Sequence, residues 1–185
     1  PAAVGHPPNQ STLCWPASRR DGTTERQLAV MPDTPWPVSS LPFLGLLLPS
    51  SAIPRVGLPE KRLFISGDDM DFTMRACKAG YALYLQPTAV LHHPLPALRP
   101  MRILHRTIWM QSIPALKLYF EVRNRLWVAR HHHGLGPQLG VLFVTLYRFA
   151  FTMVQMPDRR QQAKAYLHGI LDGMLGRLER RPLGP

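Results

Sequence analysis

The sequence is short of acid. Eleven Asp and Glu stand against 22 Lys and Arg, a formal net charge of +11. A surplus of that size suits a polyanionic partner: nucleic acid, anionic lipid or a phosphorylated substrate. Cysteine is scarcer still. Cys14 and Cys77 are the only two and lie far apart, so they make no metal-ligand pair and no disulfide framework, which fits a reducing compartment. The N-terminus shows no basic start leading into an apolar run, so no signal peptide is expected. It also lacks an initiator Met, and the chain is expected to be a fragment. There is no internal repeat. Neither an RNP-type nor a helix-turn-helix pattern appears and the basic residues are dispersed, which weighs against a nucleic-acid-binding module, the alternative reading of the charge.

Proline, by contrast, is plentiful. The 20 prolines are about twice the ordinary share and crowd the first hundred residues. Residues 1–38, with "HPPNQST" and "SRRDGTTERQ", show little periodicity and read as a disordered leader. From Ser39 the character changes. "LPFLGLLLP" reads as a buried strand or short apolar helix, and "SSAIPRVG" as a helical turn ending at Gly57. A short strand is expected from Leu63 to Ile65. Met70, Met74 and Cys77 then recur on one helical face, with Gly80 as C-cap. "YALYLQP" and "TAVLHH" read as two short strands separated at Pro87. Strand, helix, strand is the order of an α/β layer, expected over 39–98.

Residues 99–185 read as a helical region. "IPALKLYFEVRNRLWVARHHHG" carries Leu116, Phe120, Arg123 and Trp127 at helical spacing and ends at Gly134. "QLGVLFVTLYRFAFTMVQM" is a second, strongly apolar helix. The third runs from "DRRQQAKAYLHG", with Leu167, Ile170, Leu171, Met174, Leu175 and Leu178 on one side.

Against this basic background, "ISGDDMDF" places Asp68, Asp69 and Asp71 within four positions. Capping explains them in part. Asp68 suits an N-cap, and acids in the first turn gain about 0.3–1 kcal/mol each from the helix dipole. Asp69-x-Asp71 also suits a divalent cation, or one carboxylate suits a general base on a rigid perch at a strand-to-helix junction. The spacing alone leaves these open. His92 and His93 end the second strand, so one points in and the other out. Imidazole near carboxylates suits Mn²⁺ or a similar ion. His131 to His133 lie at a helix end, where cations complement the dipole.

The stretch "GLPEKRLFISGDDMDFTMRACKAGYALYLQPTAVLHHP", followed by "LKLYFEVRNRLWVARHH", resembles the C-terminal half of family 2 glycosyltransferases. The nearest group is the bacterial galactofuranosyl- and rhamnosyltransferase-like enzymes of polysaccharide biosynthesis. The resemblance covers roughly Leu41 to His133, and "GILDGMLGRLERRP" is similar to the tail of that group. It implies a GT-A fold and inverting transfer from a nucleotide-sugar donor to a glycan or lipid-linked acceptor. Asp69, the second Asp of the pair, is then the catalytic base. His93 holds a divalent metal, Mn²⁺ or Mg²⁺, and Asp68 and Asp71 position the acceptor or support the base. The family's N-terminal nucleotide-binding half, with its own D-x-D, has no counterpart in residues 1–38. The chain is therefore expected to be a truncated enzyme, inactive by itself or a catalytically dead remnant.

"LGVLFVTLYRFAFTMVQM", from Leu139 to Met156, carries one charge, Arg148. A spanning helix wants about 20 apolar residues, and a central Arg costs roughly 2.5–3.5 kcal/mol on insertion scales. A core or interfacial helix is expected. Its basic flanks, Arg159, Arg160, Lys164, Arg177, Arg180 and Arg181, suit peripheral binding to an anionic surface such as the inner face of the cell membrane.

Overall fold

A computed structural model describes residues 2–4, 11–19, 23–94, 98–103, 106–111, 113–155 and 159–179. Within these ranges the chain is a mixture of helix and small sheets. It divides into two compact units, Pro1–Pro59 with Asp69–Ala97, and Glu60–Asp68 with Leu98–Pro185.

The first unit carries a four-stranded sheet in the order β3-β2-β1-β6, from β1 (Ala2–Val4), β2 (Thr12–Ser18), β3 (Thr24–Gln27) and β6 (Val90–His92). β1 runs parallel to β6, while the other pairs are antiparallel. β4 (Trp36–Val38) pairs antiparallel with β5 (Leu83–Leu85). Residues 1–38, expected to be a disordered leader, thus carry four strands. Leu13, Ala17, Met31 and Val38 are buried together with Leu85, which gives those strands an apolar core. The alternation that would have announced β2 is broken by a register shift between Thr12 and Ala17, where Pro16 sits. Arg19 lies over the Trp36 ring at 4.0 Å.

Two helices complete this unit. α1 (Ala52–Val56) ends at Gly57, whose φ of 80° favours glycine. α2 (Asp68–Lys78) opens on the acidic cluster itself. It ends in a Schellman arrangement: the amide of Gly80 donates to Cys77 O and that of Tyr81 to Ala76 O, both at 3.0 Å, with Gly80 at φ 92°. Ala52, Val56, Phe72 and Ala76 form the buried cluster between α1 and α2. The apolar run "LPFLGLLLP" forms turns and irregular chain rather than a strand or helix, and Phe43, Leu46 and Leu48 pack on this cluster.

The second unit opens, after the segment 60–68, with a hairpin. β7 (Leu98–Ile103) pairs antiparallel with β8 (Arg106–Gln111), from Leu98 opposite Gln111 to Ile103 opposite Arg106. Helix was expected from residue 99. Pro100, which would break a helix interior, is accommodated on the edge of a two-stranded ladder. Three helices follow: α3 (Ala115–His133), α4 (Leu135–Gln155) and α5 (Arg159–Met174). Gly134, at φ 90°, separates α3 from α4, and its amide donates to Arg130 O at 3.0 Å.

The helical core is Leu118, Tyr119, Phe120, Val122 and Leu126 of α3 against Ala165 and Tyr166 of α5. The Leu stripe of the third helix splits. Ile170 and Met174 pack on the core, whereas Leu167, Leu171 and Leu175 are exposed. Small residues take the buried side instead. A Cβ on Gly169 would lie 2.9 Å from Tyr119 O, and one on Gly173 would lie 2.7 Å from Arg123 O. Only glycine lets the two backbones approach so closely. Residues 1, 5–10 and 20–22 of the expected leader, Met156, and Arg180 and Arg181 of the basic flank lie outside the described residues.

Candidate functional site

The segment before the acidic cluster is bent hard. Lys61–Leu63 form a 3₁₀ turn, capped by the Glu60 carboxylate, which accepts from the amide of Arg62 at 3.0 Å. Arg62 also grips Glu60 through Nε at 2.8 Å and Nη2 at 2.7 Å, and this holds its guanidinium protonated even beyond its ordinary range. A strand was expected at Leu63–Ile65. Instead the amide of Ile65 donates back to Leu63 O at 2.7 Å across Phe64, whose φ and ψ are 61° and −66°. This is the rare, strained form of γ-turn. Ser66 and Gly67 follow with φ of 76° and 86°. Two of these three positive-φ residues carry side chains, a conformation that persists only when its surroundings enforce it.

The enforcing residues come from α3. Asn124 is fully buried, and its Nδ2 donates to Leu63 O and Ser66 O at 2.7 Å each, with Ile65 O at 3.3 Å. Its Oδ1 accepts from Arg123 Nε at 2.8 Å. The amide orientation is set by this network, since the reverse would turn Oδ1 onto the carbonyls. Arg123, equally buried, donates through Nη2 to Arg62 O at 2.6 Å and through Nη1 to Leu178 O at 3.1 Å. Its guanidinium lies 4.8 Å from the Phe120 ring centre. A Cβ on Gly67 would meet Asn124 Cβ at 3.4 Å, ordinary van der Waals contact, so the turn lies close against the residue that holds it. Residues 123 and 124 thus clamp a turn some sixty positions earlier, which ends at Asp68, the residue before Asp69.

The three acids fare differently. Asp68 is the first residue of α2 rather than its preceding cap and is partly exposed. Asp69 is also partly exposed. Its Oδ1 accepts from the amide of Met70 at 2.7 Å, and its carbonyl accepts from Thr73 Oγ1 at 2.8 Å. Asp71 is 1% exposed, and its Oδ2 accepts from Arg75 Nε at 2.9 Å. Arg75 also donates to Val56 O and, at 3.0 Å, to Leu58 O. Asp71 therefore acts through Arg75, tying α2 to the "GLP" turn.

His93 stands just beyond β6 and is half-buried. Its ring packs against Trp15 at 5.0 Å, its Nδ1 lies 2.8 Å from Pro94 O, and its carbonyl faces Cys14 Sγ at 3.5 Å. Burial pushes the Cys14 thiol above its usual range. Among the described residues His93 belongs to no group of three or more side chains able to ligate a metal. The expected metal role of His93 therefore rests on the resemblance alone.

Behind the clamp, the hydroxyl of Tyr119 donates to the buried Asp172 Oδ2 at 2.9 Å. Burial, with this bond to a carboxylate, raises the phenol above its ordinary value. The tail motif "GILDGMLGRL" thus supplies Asp172 to Tyr119, two glycines to the helix contact and the Leu178 carbonyl to Arg123. Arg75, Arg123 and Asn124 were not expected as positioning residues. Arg75 is legible as the i+4 partner of Asp71. Asn124 has no local signal, because its partners are backbone carbonyls distant in sequence. Set against family models, curated proteins and solved structures, the chain matches none.

Proposed function

We propose that this chain is the C-terminal part of an inverting, nucleotide-sugar-dependent glycosyltransferase of the family 2 type, with Asp69 as the general base. One observation carries the reading beyond resemblance. Motif pieces that carry the resemblance are joined in two sets, one within each unit. "GLP", Asp71 and Arg75 meet through one part-buried ion pair, and "FISGD" meets "RNR" through the Arg123–Asn124 clamp. Sequence pieces kept in one order and bonded to one another are what a shared architecture requires.

The chemistry follows from the carboxylate. Inverting transfer is one displacement at the anomeric carbon. Asp69 accepts the proton of the attacking acceptor hydroxyl while the nucleoside diphosphate leaves from the opposite face. The rigid turn ahead of it limits the search for a productive angle. Asp68 faces the acceptor, and Asp71 supports the helix through Arg75. Proton removal by Asp69 requires no metal. The resemblance attaches Mn²⁺ or Mg²⁺ to donor binding, where His93 would offer one ligand among several.

The test joins the chain in frame to the nucleotide-binding half of a family 2 enzyme and measures sugar transfer to a glycan acceptor. Asp69→Asn keeps size and hydrogen bonding but accepts no proton. It is expected to lower turnover by about 10²–10⁴-fold while donor binding persists. Intact turnover in Asp69→Asn, with loss in Asp68→Asn or Asp71→Asn, would move the base elsewhere. If all three substitutions only lowered Tm, the cluster would be a helix start and nothing more.

A further inference from the structure

α4 is apolar on both sides: Val141, Leu142 and Phe149 pack on the helical core, yet its outward residues are apolar as well. Its polar residues point inward: Gln138, Thr145 and Thr152 are only 2–4% exposed. The threonine hydroxyls return to carbonyls one turn back, Val141 O at 2.7 Å and Arg148 O at 2.8 Å. Gln138 Nε2 donates to Gly173 O at 3.3 Å. Arg148, the charge that argued against insertion, is turned to Glu121 of α3 at 3.1 Å. The outward face holds Leu139, Phe143, Leu146, Tyr147 and Val154, from 47% to 75% exposed. The other exposed residues of Leu135–Val154 are Leu, Val, Gly, Pro and Ala, so this face carries no charge and no amide side chain.

A soluble surface helix is apolar toward the core and polar outward, and α4 lacks the polar outward half. A continuous apolar face of this length marks a contact surface. Charge complementarity says which. Between Leu135 and Leu171 the sequence has one acid, Asp158, against Arg148, Arg159, Arg160 and Lys164. With Arg148 neutralised by Glu121, the exposed cations are Arg159, Arg160 and Lys164 in the first turns of α5. Arg159 Nη2 reaches Val154 O at 3.2 Å, so the basic cluster adjoins the end of the apolar face.

We infer that the outward face of α4 docks on an anionic lipid bilayer and lies in its interface, with Arg159, Arg160 and Lys164 at the head groups. The segment Leu135–Val154 is long and apolar enough to span. It packs, however, against α3 and α5, whose exposed Lys117, Arg125, Arg130 and Lys164 would enter hydrocarbon if the bundle crossed. An in-plane helix buries only its apolar side, and Tyr147 suits that boundary. The inference stands on α4 and α5 and is independent of the role of Asp69.

The experiment is flotation of the full chain with vesicles of phosphatidylcholine, alone or with phosphatidylglycerol. Binding is expected with the anionic vesicles, and each of Arg159→Gln, Arg160→Gln and Lys164→Gln should weaken it about fivefold. The double variant Phe143→Glu, Tyr147→Glu should abolish flotation at unchanged Tm, because both side chains are exposed. Phe143→Trp, which keeps the face apolar, should show a blue-shifted emission when anionic vesicles are added. Failure to float with either lipid, or a Phe143→Trp spectrum unmoved by vesicles, overturns the inference. So does retention in the pellet after carbonate extraction, which indicates a span. A concentration-dependent dimer lost in Phe143→Glu overturns it as well, because a second copy would then cover the face.

Discussion

Asn124 offers two donor hydrogens to a turn that presents three carbonyls, while its oxygen is taken up by Arg123. Two consequences follow. Replacing it with Ala removes donors from buried carbonyls, at about 1–3 kcal/mol for each group left unsatisfied. It also releases a turn in which Phe64 and Ser66 hold positive φ, a conformation costing of order 1–3 kcal/mol apiece. Asn124→Ala is therefore expected to destabilise the chain by about 2–6 kcal/mol in urea unfolding, the range set by those two unsatisfied bonds. Asn124→Asp keeps the shape but turns an acceptor and a buried charge toward the carbonyls, so it should cost more than Ala. An Asp variant as stable as the wild type would mean that the side chain does not donate to the turn. The preference for Asn at this position is invisible in the sequence, because Asn in mid-helix otherwise reads as a weak helix former.

At the scale of elements, α3 and α5 approach through Gly169 and Gly173. Gly173→Ala would place a methyl 2.7 Å from Arg123 O and 2.9 Å from Leu126 Cβ, so the helices must separate. Overpacking of this kind costs about 1–3 kcal/mol. Gly140→Ala on α4 meets nothing within 4 Å, and helix propensity predicts a gain of up to about 1 kcal/mol. Opposite shifts of Tm from the same chemical change are the expected outcome. A neutral Gly173→Ala would show that the contact is loose. These elements also show what the sequence discloses. The ends of α2 and α3 were legible because Gly80 and Gly134 stand where a left-handed residue closes a helix. β2 was not, because Pro16 at a bulge hides its alternation, and β7–β8 was not, because a basic, mixed segment has no clear period of two. The third helix misled, since its leucines advertise a core face while its glycines make one. Of the candidate site, the acids and the helix they open were plain. The clamp that bends the chain ahead of them joins residues about sixty apart, a distance no local pattern spans.

For the molecule as a whole, a net charge of +11 fits nucleic acid as readily as it fits lipid. The two partners differ in what else they offer. DNA offers phosphates, and binding that rests on phosphates releases counterions, so its affinity falls steeply with salt. A bilayer offers phosphates and a place for Phe143, Leu146 and Val154, an apolar term that salt does not screen. The basic residues are dispersed along the sequence, and several are engaged. Arg62 and Arg75 are bound to Glu60 and Asp71, Arg123 is buried, and Arg148 faces Glu121. The exposed cations that remain, among them Lys117, Arg125, Arg130, Arg159, Arg160 and Lys164, are dispersed along the sequence rather than gathered in one run. The expected result is weak, sequence-independent binding to duplex DNA at about 50 mM salt that falls at least tenfold by about 200 mM, as contacts to several phosphates dictate. Over the same range, flotation with anionic vesicles should weaken only severalfold. Both can be measured on one preparation, by fluorescence anisotropy of a labelled duplex and by flotation. Duplex binding that stays tight at 200 mM, or prefers one sequence over another, would favour a nucleic-acid-binding module over the transferase. Lipid binding that fell as steeply as DNA binding would leave the apolar face of α4 without a part in it.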